Sequence, residues 1–265
     1  MIGICTDSHS QLPAVLAQRY GVEVVPLTVT VDDIDYLDGV DLDADKFYEK
    51  YRNGIRPAVS TSQPSPGQFA LAYEDLAARG CTEILSIHVG TAVSGTINAA
   101  RLAAHALPMP VRLVDSGTAS FGVSCCVWAA AAAIAQGASV NSAAMIAEQL
   151  APNIGNVFVA GALDQFRGGD GLPVMSLHDG RATVIHRTAS ALDAINAMAT
   201  HTLGWGDRLR IAIGHSDAAT APLADAMEEA LGEAAAVLDM VRFRIGPSIG
   251  AHTGPGTIGC FMFPG

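Results

Sequence analysis

Two clusters of small polar residues in this chain have the types and spacing to hold a polar or anionic group. The first is Ser60-Thr61-Ser62-Gln63, followed by Pro64-Ser65-Pro66-Gly67. Its three hydroxyls and one amide read as a loop that ends at a helix start, because Ser65 is a natural N-cap and Pro66 a natural first helical residue. The second is Gly90-Thr91-Ala92-Val93-Ser94-Gly95-Thr96, which precedes an apolar helix from Ile97 to Leu107. Neutral hydroxyls and the free N–H groups of a helix start can donate together to an anion. Either cluster alone is ordinary cap-and-turn chemistry. Their position relative to one strand gives them a joint meaning. Glu83 to Val89 reads as a buried strand, and consecutive parallel strands share a C-terminal edge, so the two loops are expected to converge on one crevice.

The elements that must position these loops alternate between strand and helix. Ile2 to Cys5 is a strand that runs into Thr6-Asp7-Ser8, where Asp7 or Ser8 could meet a ligand, although turn chemistry is the commoner role. A helix from Leu12 to Tyr20 stops at Gly21, and Val22 to Pro26 is a second strand. Thr28 to Val31 and Ile34 to Leu37 flank Asp32-Asp33 as a hairpin, and a helix from Ala44 to Asn53 follows. After Ser65 a helix carries Phe69, Tyr73 and Leu76 on its apolar side until Gly80 ends it. Val111 to Val114 is another strand, with helices near 119–136 and 140–150. This pattern predicts a mostly parallel sheet with helices on both faces.

The style changes around Pro152 to Gly155, so the expected domains are residues 1–153, an α/β domain with both polar loops, and residues 154–265. The second stretch reads as α+β with a mixed or antiparallel sheet. Val157 to Ala162 is a strand, Phe166 to Gly171 a loop, and Val174 to Leu177 with Arg181 to His186 a hairpin around Asp179-Gly180. A helix from Ala189 to Leu203, a strand from Arg208 to Gly214 and a helix capped by Ser216 or Asp217 come next. Ala235 to Arg244 is a strand, and a glycine-rich turn leads to a last strand from Thr257 to Phe263.

Composition narrows the function classes. The chain has 265 residues, half of them hydrophobic, enough for a sizeable core without disulfides or metals. Its net charge is −11 and its 15 basic residues form no patch, which argues against nucleic acid. The longest apolar run, Val123 to Gln136, is too short to span a bilayer, so no stable membrane insertion is expected. The chain begins directly on a strand, with no signal peptide pattern, and a cytoplasmic location is the expectation. Five cysteines, Cys5, Cys81, Cys125, Cys126 and Cys260, lack CxxC spacing and read as buried free thiols. The eight histidines lack HExxH or any other metal spacing, so neither metal nor cofactor is expected.

Two motifs match catalytic or cofactor patterns in spelling only. Gly246-Pro247-Ser248-Ile249-Gly250 fits the GxSxG nucleophile elbow, with His252 nearby, but the elbow needs a helix after the serine. Gly250, Gly254, Pro255 and Gly256 are expected to prevent one. Gly254-Pro255-Gly256-Thr257-Ile258-Gly259 fits GxGxxG, yet only six residues follow and they read as a strand. That glycine run can instead bring backbone and His252 close to a ligand.

Taken in order, Thr6-Asp7-Ser8, Val25-Pro26-Leu27, Asp38-Gly39, Thr61-Ser62-Gln63-Pro64-Ser65-Pro66, Ser94-Gly95-Thr96, Val114-Asp115-Ser116 and Gly250-Ala251-His252-Thr253-Gly254-Pro255-Gly256 form a recognisable series. The chain resembles the DegV family of bacterial fatty-acid-binding proteins over almost its whole length. The resemblance implies two α/β domains with a long-chain fatty acid between them and no chemistry of the protein's own. Some members present the bound carboxylate to a separate kinase resembling dihydroxyacetone kinase. By position, Thr61 and Ser94 would bind the carboxylate, with Ser62 and Gly95 beside them. Arg187, in His186-Arg187-Thr188, and His252 match charged positions of the wider head-group network. One departure is substantial: Gly168-Gly169-Asp170-Gly171-Leu172-Pro173 lacks a helix of roughly a dozen residues that the family usually has there. The rival readings are a hydrolase or transferase using Ser94 or Ser248 with His252, and a carrier of another small amphiphile.

Overall fold

The computed structural model describes residues 1–161, 171–178 and 181–265. The chain divides into two units, Met1–Asp41 with Val59–Pro152 and Leu42–Ala58 with Asn153–Gly265. Residues 42–58 thus belong with the second unit, although they precede the main break by a hundred residues. Local sequence pattern carries no sign of that excursion.

The first unit lays down β1 (Ile2–Asp7), a 3-10 turn at Ser8–Ser10, α1 (Ala14–Tyr20), β2 (Val22–Val25), and the hairpin β3 (Thr28–Val31) and β4 (Ile34–Leu37). Asp32 and Asp33 both take positive φ, 48° and 64°, the tight two-residue turn whose twist suits a hairpin. The chain passes through α2 (Ala44–Glu49) in the second unit and returns as β5 (Val59–Ser62), α3 (Pro66–Ala78), β6 (Glu83–His88), α4 (Thr96–His105), β7 (Val111–Asp115), α5 (Phe121–Ala135) and α6 (Val140–Leu150).

β1, β2, β6 and β7 form a parallel sheet in the order β2-β1-β6-β7. The order reverses between β1 and β6, and ligands of open α/β sheets bind at the carboxyl end of such a switch. Ile84, Leu85 and Ile87 on β6 are fully buried, as a strand covered on both faces requires. Phe69, Tyr73 and Leu76 of α3 and Ala99, Ala100 and Ala103 of α4 pack with Ile84 in one cluster. α5 is buried almost all round, which explains its alanine- and cysteine-rich sequence. β3, β4 and β5 make a separate antiparallel sheet in the order β4-β3-β5.

The second unit contains β8 (Gly155–Val159), β9 (Leu172–His178), β10 (Arg181–Thr188), α7 (Ala191–Leu203), β11 (Leu209–His215), α8 (Ala221–Gly232), β12 (Val237–Arg244), α9 (Pro247–Thr253) and β13 (Ile258–Pro264). Its six strands run in the order β10-β9-β8-β13-β11-β12, antiparallel except for the parallel pair β11 and β12. Ile195 and Met198 of α7 and Met227 and Leu231 of α8 close the core over Val157, Ile211 and Met262. The protein is therefore an α/β protein with a parallel sheet and a small antiparallel one in the first unit and a mixed sheet in the second.

Three sequence expectations need correction. Ser60 to Ser62 lie on β5, with Thr61 opposite Val29, because the hairpin offers an edge for a third strand. The glycine-rich turn after β12 contains a helix, α9, begun by Pro247 as a first-turn residue. Gly250 is required inside it: a Cβ there would lie 2.6 Å from the Tyr48 hydroxyl and 2.7 Å from Phe47 Cε1. The helix expected to be capped by Ser216 or Asp217 starts later, with Thr220 at its N-cap position. Asp217 Oδ1 instead accepts from Thr220 N in the preceding turn, at 3.1 Å. The loop residues Phe166 to Asp170 and the turn Asp179-Gly180 lie outside the described residues.

Candidate functional site

The two polar clusters of the first unit meet. Gly95 faces the Gln63 side chain so closely that a Cβ on Gly95 would collide with its amide oxygen. The residue between Ser94 and the first turn of α4 is therefore glycine for lack of space. Its φ of −79° is open to any residue.

Each cluster is held by its own local bonds. Ser65 caps α3 by accepting from Gln68 N at 3.3 Å, and Gln68 Oε1 accepts from Ser65 N at 2.9 Å. This reciprocal capping box contributes on the order of 1 kcal/mol and fixes where β5 ends and α3 begins. The Ser94 loop is pinned from the side. Thr91 donates to Asp115 through its hydroxyl at 2.7 Å and its N–H at 3.2 Å, and Gly90 N donates to Thr118 O at 2.8 Å. A Cβ on Gly90 would lie 2.8 Å from Gly117 C, so two backbones touch there.

The hydroxyls differ in what they already hold. Ser94 is half-buried, with Oγ 2.8 Å from Thr96 Oγ1 and accepting from Thr96 N at 3.3 Å. Thr61 is half-buried on β5, and its hydroxyl has no hydrogen-bond partner among the described residues. Ser62 is exposed and Gly95 half-buried. The first N–H groups of α4 begin at Thr96, one residue beyond Gly95. The arrangement presents neutral donors and a helix N-terminus, suited to hold an oxyanion without a paired cation.

Other sequence-predicted residues have different places. Asp7 is fully buried and Ser8 is committed to the fold, donating to Asp38 Oδ2 at 2.7 Å and accepting from Leu27 N at 3.0 Å. Arg187 is exposed on β10 and His252 exposed on α9, both in the second unit. Ser248 does follow a strand and begin a helix, yet it has no exposed surface. Nor does it take the left-handed backbone of a strained elbow. All five cysteines are buried free thiols, and burial pushes Cys126 and Cys260 up to about 12, which leaves them unreactive near neutrality. Sequence reasoning missed Gln63 and Asp115 as partners of the loops, although both stand inside the motif series that marks the family.

A family model described as "Uncharacterised protein, DegV family" matches residues 1–169 and 172–265. The chain belongs to the DegV family. The two matched stretches leave out residues 170–171, inside Gly168-Gly169-Asp170-Gly171-Leu172-Pro173. A DegV domain-containing protein of Streptomyces coelicolor is 33% identical over 278 aligned positions, covering 97% of this chain and 96% of its own. Among solved structures, a DegV family protein from Thermus thermophilus, described by its fatty-acid binding, is 30% identical with a TM-score of 0.87 over 99% of both chains. DegV of Bacillus subtilis, a fatty acid binding protein, is 21% identical with a TM-score of 0.83, covering 100% of this chain and 99% of its own. That second likeness is one of fold. Among the described residues of this DegV chain, no helix is long and apolar enough to cross a membrane.

Proposed function

We propose that this protein is a carrier that binds a long-chain fatty acid and holds its carboxylate with Thr61, Ser62, Ser94 and the Gly95 backbone. The observation that carries the reading is the contact of Gln63 with Gly95, which brings two hydroxyl-bearing segments together in front of a helix start. Membership of the DegV family and the fatty-acid binding of the Thermus thermophilus relative supply the ligand class. In this proposal the head-group loops belong to the first unit, Met1–Asp41 with Val59–Pro152. Arg187 and His252 keep, in this proposal, the head-group roles that the DegV resemblance implies for them.

The energetics suit a carrier. Burying a sixteen-carbon tail at about 0.8 kcal/mol per methylene yields about 10 kcal/mol or more. Loss of translational and rotational freedom removes much of that, leaving affinity of the order of micromolar or tighter. Neutral donors hold the head group while leaving it open to another enzyme. We assign any chemistry at the carboxylate to a separate kinase resembling dihydroxyacetone kinase, which places the work in the cytoplasm.

Native mass spectrometry of gently purified protein tests the proposal. A co-purified long-chain acid, displaced by added oleate, is the expected result. A protein that carries no acid and takes up none on titration would end the fatty-acid reading and favour another small amphiphile.

A further inference from the structure

In the first unit four side chains form a continuous buried string. The Tyr73 hydroxyl is 2.9 Å from Ser86 Oγ, which is 2.7 Å from His88 Nε2, and His88 Nδ1 is 2.9 Å from Asp7 Oδ2. All four residues have no exposed surface. A serine, a histidine and an aspartate in this order have the connectivity of a hydrolytic triad. Here, however, the serine end is sealed: Ser86 lies inside β6 with its hydroxyl against Tyr73 of α3. No substrate reaches it.

The aspartate end is the one that faces the site's edge. Asp7 is the last residue of β1 and His88 the last of β6, the two strands that flank the switch point. Asp7 accepts three donors: His88 Nδ1–H, His9 N at 3.1 Å and Val89 N at 3.3 Å. Val89 is the first residue of the loop that ends in Ser94 and Gly95. Donors and acceptors along the string run in one consistent direction. A carboxylate only accepts, so His88 carries its proton on Nδ1. Its Nε2 then accepts from Ser86, whose oxygen accepts from Tyr73. Tyr73 stays a donor, since burial holds its hydroxyl far above the ordinary value. Four polar side chains in a place where apolar ones would pack call for a reason, because a buried network is costly unless fully satisfied.

The geometry points to Asp7 and His88 as positioning residues for the head-group loop: the string fixes the Asp7 carboxylate against Val89 N–H and thereby sets where Ser94 and Gly95 stand. This rests on the proposed fatty-acid site, of which it names two further determinants. They touch no ligand and act only through the loop.

A mutant cycle separates positioning from mere support of the fold. The probe is oleate, titrated calorimetrically into the wild type, Ser94→Ala, His88→Leu and the double variant, with thermal stability recorded for each. Coupling between residues of one network is large enough to read as a factor of about five to ten in affinity. The expected result is that Ser94→Ala weakens binding several-fold in the wild type and has almost no effect once His88 is leucine. His88→Asn places an amide N–H where Nδ1–H was, and is expected to restore most of the affinity although the link to Ser86 is lost. Amide exchange in the unliganded protein is the second arm, with faster exchange across residues 89–95 in His88→Leu and little change within α4. Additive losses, or no rescue by asparagine together with unchanged exchange, would overturn the positioning role. If the wild type binds no oleate, the fatty-acid reading fails first, and unchanged exchange in the loop would then remove the positioning role as well. Should His88→Leu not fold, Ser86→Ala enters the same cycle, and purely additive losses there overturn the positioning role in the same way.

Discussion

Two serine-bearing turns of this molecule each join a strand to a helix and are built differently. In the first unit β6 runs through Gly90 and a short loop to Ser94-Gly95 and the start of α4. In the second, β12 runs through Gly246 into α9, which begins at Pro247 and carries Ser248 in its first turn. The second matches the nucleophile motif in sequence, and the helix that the motif demands is present. Yet Ser248 is fully buried, whereas Ser94 is half-exposed beside a second polar segment. The glycines show the same division. Gly250 makes room for Tyr48 and Phe47, a packing need, while Gly95 makes room for Gln63 and so joins two polar loops. What separates the candidate site from the buried turn is which polar atoms remain reachable.

The comparison breaks most visibly if the reachable hydroxyls do not matter. Thr61→Val with Ser94→Ala is expected to cost about 2–4 kcal/mol of fatty-acid binding, since each hydrogen bond to a charged group is worth about 1–2 kcal/mol. Melting temperature should hardly move, because neither side chain is in the core. Isothermal titration beside calorimetric melting reads both, and equal loss of stability would mean that these hydroxyls support the fold instead.

Ser248→Ala should show the opposite signature. A fully buried hydroxyl contributes to the fold, so about 1 kcal/mol of stability should be lost with affinity for fatty acid unchanged. An esterase activity present in the wild type and absent from the variant would restore the hydrolase reading that the burial of Ser248 disfavours.

The smallest effect is a pH dependence confined to the second unit. Burial, with Arg244 as the next cause, holds His215 below the ordinary histidine value, and burial does the same for His201. As pH falls through about 6.5 the unfolded chain takes up these protons before the folded one, so stability declines on acidification. His215→Gln should flatten the melting profile between neutral and mildly acid pH. A profile as steep as that of the wild type would assign the dependence to other groups.

Much of the fold is legible in local pattern. Ser65-Pro66 and Gln68 announce a capped helix, Asp32-Asp33 a hairpin turn, and the run from Glu83 a buried strand, because each depends on neighbours in sequence. What stays hidden depends on distance. Asp7 and His88 are 81 residues apart, and only the switch point brings them into contact. The glycines of α9 argue against a helix because the residues that need Gly250, Phe47 and Tyr48, lie about two hundred positions earlier. β5 reads as a loop because a strand of hydroxyls shows no apolar alternation until the hairpin it pairs with is known.

The central claim proposed here is that neutral donors of the first unit recognise a carboxylate. The most direct test is the ratio of dissociation constants for a long-chain acid and its methyl ester, measured in the wild type and in Thr61→Val/Ser94→Ala. The tail is common to both ligands, so the ratio isolates the head group. A clear preference for the acid in the wild type that collapses towards unity in the variant is the result predicted here. A preference for the acid that survives both substitutions undiminished would contradict it and place the carboxylate elsewhere.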